Sequence, residues 1–310
     1  MKSRGTKLTA WTAIGVLLAV ALGYFFALDL SPVHDQSSYR FDLAEIRQLA
    51  HSGTGNLPTR INGLGIASAK FPHVFVVAGK GWGGQPILME SFQVVFPDSS
   101  LVIDSALDKA SIDEFFAGSP FFPDRYDAMQ RAMTQATAIL FTHEHPDHVG
   151  GVAKSPAFSA IANKTVLTQE QFDSLHNPEL NFPQDRLSAV TPLNYDRIHL
   201  FAPGVVLLKA PGHSPGSQII YVALQDGQEF LFVGDIGWSL ENFLIPRGRP
   251  WAVSYFFLHE DRAAVAQQLR ALHELAISPP ETLHLVVAHD QAQFQAYVNR
   301  GWVHDGFQVQ

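Results

Sequence analysis

The apolar positions fall into short runs separated by Gly, Pro, Asn and Asp, and the period within each run changes along the chain. Ile61 to Ala69, Val74 to Ala78, Ile87 to Phe96 and Leu101 to Asp104 are rich in strand-forming residues and bounded by turn residues, which predicts a meander of neighbouring strands. Asp108 to Ala117 and Asp124 to Gln135 then read as helices, the first stopped by Gly118 and the second opened by Pro123-Asp124. Ala138 to Phe141 returns to strand. Thr168 to Leu175 opens with Thr168 and Gln171 at the spacing of a capping box and predicts a further helix. Val205 to Lys209, Gln218 to Leu224 and Glu229 to Val233 are strands. Glu260 to Ala276 places Val265, Leu269, Leu272 and Ala276 on one helical face, before strand Leu283 to Ala288 and helix Gln291 to Asn299. Strands followed by helices, twice over, predict an α/β (α+β) fold: two similar halves whose sheets pack together with helices outside, a four-layer αββα sandwich.

The N-terminal part breaks this pattern. Lys2, Arg4 and Lys7 precede an uncharged stretch from Leu8 to Leu28. As a helix at ~1.5 Å per residue it reaches ~30 Å, the length of a transmembrane helix. The basic flank is expected on the cytoplasmic side, so that the rest of the chain is extracytoplasmic, in the periplasm or at the cell exterior. Ala19-Val20-Ala21 also has the small-x-small form of a cleavage site, so a cleaved signal peptide and a secreted form are the alternative. Both readings export the remainder of the chain. Residues 1–30 are thus read as anchor or signal peptide, residues 31–58 as a linker with a short helix around Phe41 to Ala50, and residues 59–310 as the main folded domain.

Composition narrows the function. A chain of 310 residues with 46% hydrophobic and 16% charged residues can bury a full-sized core. The formal net charge of -8 disfavours a broad grip on phosphate backbones, so nucleic acid is not expected as a partner. There are no cysteines, which rules out thiolate ligands, disulfides and a cysteine nucleophile. Neither a Gly-rich phosphate cradle nor a G-x-S-x-G elbow is present.

The chemistry is concentrated after the apolar strand Ala138 to Phe141, in Thr142-His143-Glu144-His145-Pro146-Asp147-His148. In extended backbone His143 and His145 point to the same side and can reach one ion, while Asp147 and His148 lie beyond Pro146, where the chain turns toward a second position. Gly150-Gly151 lets the backbone pass close by. Three further candidates sit at strand ends: His213 in Pro211-Gly212-His213-Ser214-Pro215-Gly216, Asp235 in Val233-Gly234-Asp235, and His289 in Val287-Ala288-His289-Asp290.

In this ordered set, an HxHxDH motif, then a PGHSPG histidine, a GD aspartate and a late histidine, the chain resembles the metallo-β-lactamase superfamily over about Thr59 to Asn299. The resemblance implies two divalent metal ions, with His143, His145 and His213 on the first, Asp147, His148 and His289 on the second, and Asp235 between them. Imidazole and carboxylate ligands favour zinc and also accept iron or manganese. Two such ions can lower the pKa of a shared water and present hydroxide at neutral pH, with Asp147 also able to carry a proton to the leaving group. Asp104, at the end of Leu101-Val102-Ile103, resembles the family's early aspartate and is expected to orient a ligand imidazole through its other nitrogen. Thr142 and Ser214 can support the same ligands.

A carboxylate at Asp235 resembles the lactonase, glyoxalase-II-like and phosphodiesterase branches more than the true β-lactamases. The leading expectation is a small-molecule lactone, ester or thioester, such as an acyl-homoserine lactone. Phosphodiester or β-lactam hydrolysis, iron-dependent sulfur dioxygenation, and a membrane-tethered binding protein without turnover are the alternatives. Two features outside the motif remain open. Gly79 to Gly84 reads as an aromatic-tipped flap or as an ordinary hairpin loop. The run Trp251 to Phe257 is expected in the core, with a substrate-pocket wall as the second reading.

Overall fold

The computed structural model describes residues 3–33 and 35–309, with side-chain surroundings from residue 13 onward. Eleven strands among these residues form two sheets. The first contains β1 (Arg60–Pro72), β2 (Gly84–Val95), β3 (Ser100–Ile103), β4 (Ala138–Leu140), β5 (Thr165–Val166) and β11 (Val303–Asp305), in the order β11-β1-β2-β3-β4-β5. The second contains β6 (Ile198–Ala202), β7 (Val205–Lys209), β8 (Gln218–Ala223), β9 (Glu229–Phe232) and β10 (Leu283–Val286), in the order β10-β9-β8-β7-β6. The middle core lies between the sheets, where Phe92, Val94 and Leu140 meet Leu207, Ile220 and Phe232. On the outer side of the first sheet, Met129, Met133 and Val149 pack from helices, and on that of the second, Val265, Leu269 and Leu272 do so. Each sheet is therefore covered on both faces, which explains why strands such as β8 and β9 are buried throughout and read as continuous apolar runs. The expected αββα sandwich forms.

Local chemistry places the helices where the pattern put them. Thr168 accepts from the Gln171 amide while the Gln171 side chain accepts from the Thr168 amide, so both halves of the capping box are made. Helix Arg262–Ile277 is opened by Asp261, which accepts from Ala263 and Ala264. Val74 to Ala78 is not a strand. The amides of His73 and Val74 bond instead to the carbonyls of Gly83 and Gly81 across the loop, and His73–Val76 closes into one helical turn. Helix Leu43–Ala50 buries Ile46 and Ala50 against the second sheet, and Arg47 bonds Glu229 on β9. The preceding segment is thus packed onto the domain.

Near the N-terminus a helix covers Ser3–Tyr24 and passes into a wider turn over Phe25–Asp29. The side chains of Lys2, Arg4, Lys7 and Trp11, and with them part of the expected membrane segment, lie outside the described residues. Among the described residues no helix is long and apolar enough to cross a membrane. The foot of the helix is attached to the domain: the Gly79 amide donates to the Leu28 carbonyl and Arg262 Nη2 to the Leu30 carbonyl, at 3.0 and 2.8 Å.

Candidate metal centre and cavity

Every sequence-predicted ligand is carried past the same edge of the sandwich. Asp104 follows β3, His143 to His148 follow β4, His213 lies between β7 and β8, Asp235 follows β9 and His289 follows β10. The two sheets are tied there by the Gln218 amide, which donates to the Thr142 carbonyl at 2.8 Å, and by the Leu88 amide, which donates to the His289 carbonyl at 3.1 Å. Close backbone approach is needed at two glycines. A Cβ on Gly151 would lie 2.0 Å from the Ser105 carbonyl oxygen, and Gly234 has φ +53 with its Cβ position 2.8 Å from Thr142. Pro146 begins a helix rather than a simple turn, with Asp147 and His148 in its first turn.

The ligand atoms converge. His143, His145 and His213 offer nitrogens within 4.8 Å of one another, and Asp147, His148 and His289 offer a second such set. A third set, His143, His148 and Asp235, overlaps the first two. Asp235 Oδ1 lies 3.3 Å from His148 Nε2 and 3.2 Å from His289 Nε2, while its Oδ2 lies 3.4 Å from His213 Nε2. Its carboxylate stands between the two groups. Asp147 Oδ2 reaches to 3.4 Å from His289 Nε2.

The atoms behind the ligands fix which nitrogen faces inward. His148 Nδ1 pairs with Asp104 Oδ2 at 2.9 Å, and Asp104 is itself held by the Thr142 amide and hydroxyl at 2.8 Å each. His289 Nδ1 donates to the Leu88 carbonyl at 2.7 Å. His213 Nδ1 lies 3.2 Å from Glu260 Oε2, and the buried Arg249 bonds the same carboxylate. His148, His289 and His213 therefore present Nε2 inward, whereas His145 presents Nδ1. Ser214 donates to the buried Glu144, which clamps the His143 loop to the His213 loop.

Several of these groups escaped the sequence reading. Glu260 and Arg249 lie far from any motif. Trp238 donates its indole N–H to Asp235 Oδ2 at 2.6 Å. Glu90 accepts from the His289 amide at 2.8 Å and is pushed up to about 7 by burial. A carboxylate inside the apolar run Ile87 to Phe96 was a legible signal for Glu90; nothing local marked the others.

Burial and charge act differently across the site. Burial holds His143 well below its usual pKa, reinforced by His148, and holds His145 down to about 3. Burial also opposes the charged forms of His148 and His289, but there the carboxylates win: Asp104, Asp235 and Asp147 hold His148 well above its usual value, and Asp235 with Asp147 and Glu90 raises His289 to about 9. Burial disfavours the Asp235 carboxylate, yet the surrounding imidazoles hold its pKa well below the usual range. Among the ligand atoms, His143 Nε2 and Asp235 Oδ1 are buried with no hydrogen-bond partner. Both point where ligand atoms converge, and a divalent cation would satisfy them, so the donor set fits a metal pair.

A cavity of about 780 Å³ opens over this centre, with His145, Asp147, His213, Asp235 and His289 at its floor. Its walls are apolar and aromatic, including Phe71, Phe75, Phe116, Leu180 and Trp238. The core expectation for Trp251 to Phe257 is overturned: Tyr255, Phe256 and Phe257 are exposed and Phe257 lines the cavity, because the segment winds as a wide turn at the rim. Trp82 packs on Phe75 at 5.9 Å and is itself outside the lining.

A strand-end cluster of imidazoles and carboxylates under such a cavity defines a metal-dependent hydrolase site. The family model described as the metallo-beta-lactamase superfamily matches residues 92–281, and the chain belongs to that superfamily. Its members use divalent metals. The chain is similar to the N-acyl homoserine lactonase AiiA of Bacillus thuringiensis subsp. kurstaki, with 32% identity over 111 residues, 34% of this chain and 40% of that one. It is similar to a hydroxyacylglutathione hydrolase of Albidiferax ferrireducens, with 27% identity over 164 residues, 53% of this chain and 52% of that one. The match thus spans about two fifths of the length of the curated lactonase and about half that of the second relative. A solved quorum-quenching N-acyl homoserine lactone lactonase shares the fold with a TM-score of 0.62 and 16% identity, over 78% of this chain and 97% of that one.

Proposed function

We propose that this metallohydrolase cleaves a lactone or related ester of a neutral, apolar acyl compound, with an N-acyl homoserine lactone as the favoured substrate and zinc as the favoured metal. The observation that carries the reading is the cavity itself: five of the ligand residues form its floor, its walls are mostly apolar with Asn177 and Glu179 among them, and no lysine or arginine lines it among the described residues. A phosphodiester, or the carboxylates of a glutathione thioester, would find no lysine or arginine there, whereas an acyl chain would bury its surface against Phe71, Phe75 and Phe116. The similarity to N-acyl homoserine lactonases points the same way.

His143, His145 and His213 would hold one ion, Asp147, His148 and His289 the other, and Asp235 both. Bound there, such ions supply Lewis acidity toward an acyl oxygen and lower the pKa of water. Asp104, Glu260 and the Leu88 carbonyl hold the imidazoles in the tautomers that turn the Nε2 lone pair inward. Trp238 binds one oxygen of Asp235 and fixes the plane of the carboxylate. Asp147 has a quarter of its side chain exposed, far more than Asp235, and is the more open of the two ligand carboxylates at the cavity floor. It is placed to pass a proton to a leaving alkoxide at the cavity floor. The aromatic walls exclude bulk water from the acyl part.

The N-terminal segment is proposed to anchor the enzyme outside the cytoplasm; its uncharged stretch and basic flank support this, and protease accessibility of the domain in intact cells tests it.

The catalytic reading is tested with metal-loaded full-length protein on N-acyl homoserine lactones of short and long chain, a thioester, a phosphodiester and a cephalosporin. Turnover of the lactones above the others is expected. A fully metallated protein that opens no lactone or ester ends this reading.

A further inference from the structure

The surface around the cavity mouth carries an apolar face that the hydrolytic chemistry does not use. From residue 13 to residue 26 the N-terminal helix and the start of its wide turn are exposed on every side, and they contain no charged residue. A helix that is apolar all round has no stable place in water. Its foot is not free. The turn Phe25–Asp29 packs against Trp251–Val253 and His73–Val76, the Gly79 amide bonds the Leu28 carbonyl, and the Ala78 amide bonds the Gly248 carbonyl. These contacts join three surface segments into one face. On it stand Trp82 at 58% exposure, Tyr255 at 58%, Phe256 at 61% and Phe257 at 73%, with Trp251 stacked on Tyr255 at 5.0 Å. No charge interrupts Trp251 to Leu258. The same segments form the rim, since Val253, Phe257 and Leu258 line the cavity and Phe75 lies beneath Trp82.

We propose that this rim is a lipid-docking face: Trp82, Trp251, Tyr255, Phe256 and Phe257 seat in the interfacial layer of a bilayer beside the apolar helix and turn the cavity mouth toward it. Tryptophan and tyrosine suit that layer because their rings are apolar and their N–H and O–H groups remain near water. The exposed helix supplies the second, continuous part of the same face, as membrane-surface binding by more than one apolar element requires. A protein partner seated on the rim would close the cavity. A fluid lipid surface leaves it open and admits an amphiphilic acyl substrate already partitioned into the lipid.

The absence of native cysteines allows a direct test with the full-length chain. Phe256→Cys and Asp226→Cys are each labelled with a fluorophore and mixed with neutral phosphatidylcholine vesicles; Asp226 lies in the exposed turn between β8 and β9, at the far end of the strands from the metal centre. The label at 256 should lose most of its emission to nitroxide-bearing lipid and keep it against aqueous iodide, with the opposite result at 226. Failure of the protein to float with vesicles, or a label at 256 that stays open to iodide on vesicles, overturns the proposal. So does shielding from both quenchers, which assigns the face to a second copy of the chain. The readout is independent of turnover, so its failure leaves the lactonase reading standing.

Discussion

In the triad of His143, His145 and His213, burial outweighs the nearby carboxylates for the first two imidazoles and keeps them neutral. A few ångströms away, His148 and His289 are as deeply buried, yet Asp104, Asp235, Asp147 and Glu90 hold them protonated. The same side chain is prepared in two ways because burial and neighbouring imidazoles dominate at His143 and His145, while carboxylates dominate at His148 and His289. Metal ligation requires neutral imidazole. His143 and His145 are therefore ready at neutral pH, whereas His148 and His289 must release protons as their ion enters.

The largest effect expected from breaking this asymmetry is catalytic. Asp147→Asn keeps an oxygen near the second triad but cannot carry a proton, and kcat should fall ~10²–10⁴-fold with metal content retained, read by metal analysis beside lactone turnover. Loss of the ion instead would assign Asp147 to metal holding alone.

The metal-free protein should show the asymmetry in its stability. His289 is raised in the folded state from its ordinary value near ~6.5 to about 9, so its favourable interactions are fully present below pH ~6.5 and disappear as the pH rises through 9. A loss on the order of 3 kcal/mol over that window is expected in urea unfolding of metal-free protein. Metal-loaded protein should lack this slope, since the ion replaces the proton.

Smaller changes should separate the two positions. Asp104→Ala should weaken the second ion ~10–100-fold and leave the first, while Glu260→Gln should weaken the first by a similar factor, each read by competition with a chelating dye. Equal effects on both ions would merge the two triads into one unit. Trp238→Phe removes the hydrogen bond to Asp235 and keeps the wall apolar; a loss of about 1 kcal/mol in transition-state stabilisation, measured as kcat/KM, is expected.

How much of this was legible in the sequence differs by level. The ligands could be found because each sits at the end of a short apolar run, where a costly polar cluster stands out. The strands β2, β8 and β9 were legible for the same reason. The His73–Val76 turn was not, because Val74 to Ala78 has strand-forming side chains while the amides of His73 and Val74 bond to glycine carbonyls further along the loop. The three-residue strand β11 is fixed by pairing with β1, at the opposite end of the domain in sequence, and has no pattern of its own. Trp251 to Phe257 misled in the other direction. An aromatic run normally signals core, and here it stands at a rim. Glu260 and Arg249 acquire their roles only when the fold brings them behind His213.

The most direct test of the central claim is calorimetric titration of metal-free, full-length protein with Zn²⁺ at pH 7 in two buffers of different ionisation heat. Two ions per chain are predicted, the first binding with little proton release and the second displacing at least one proton. A single ion per chain, or proton release confined to the first, would contradict a pair of metal positions prepared in opposite ways around Asp235.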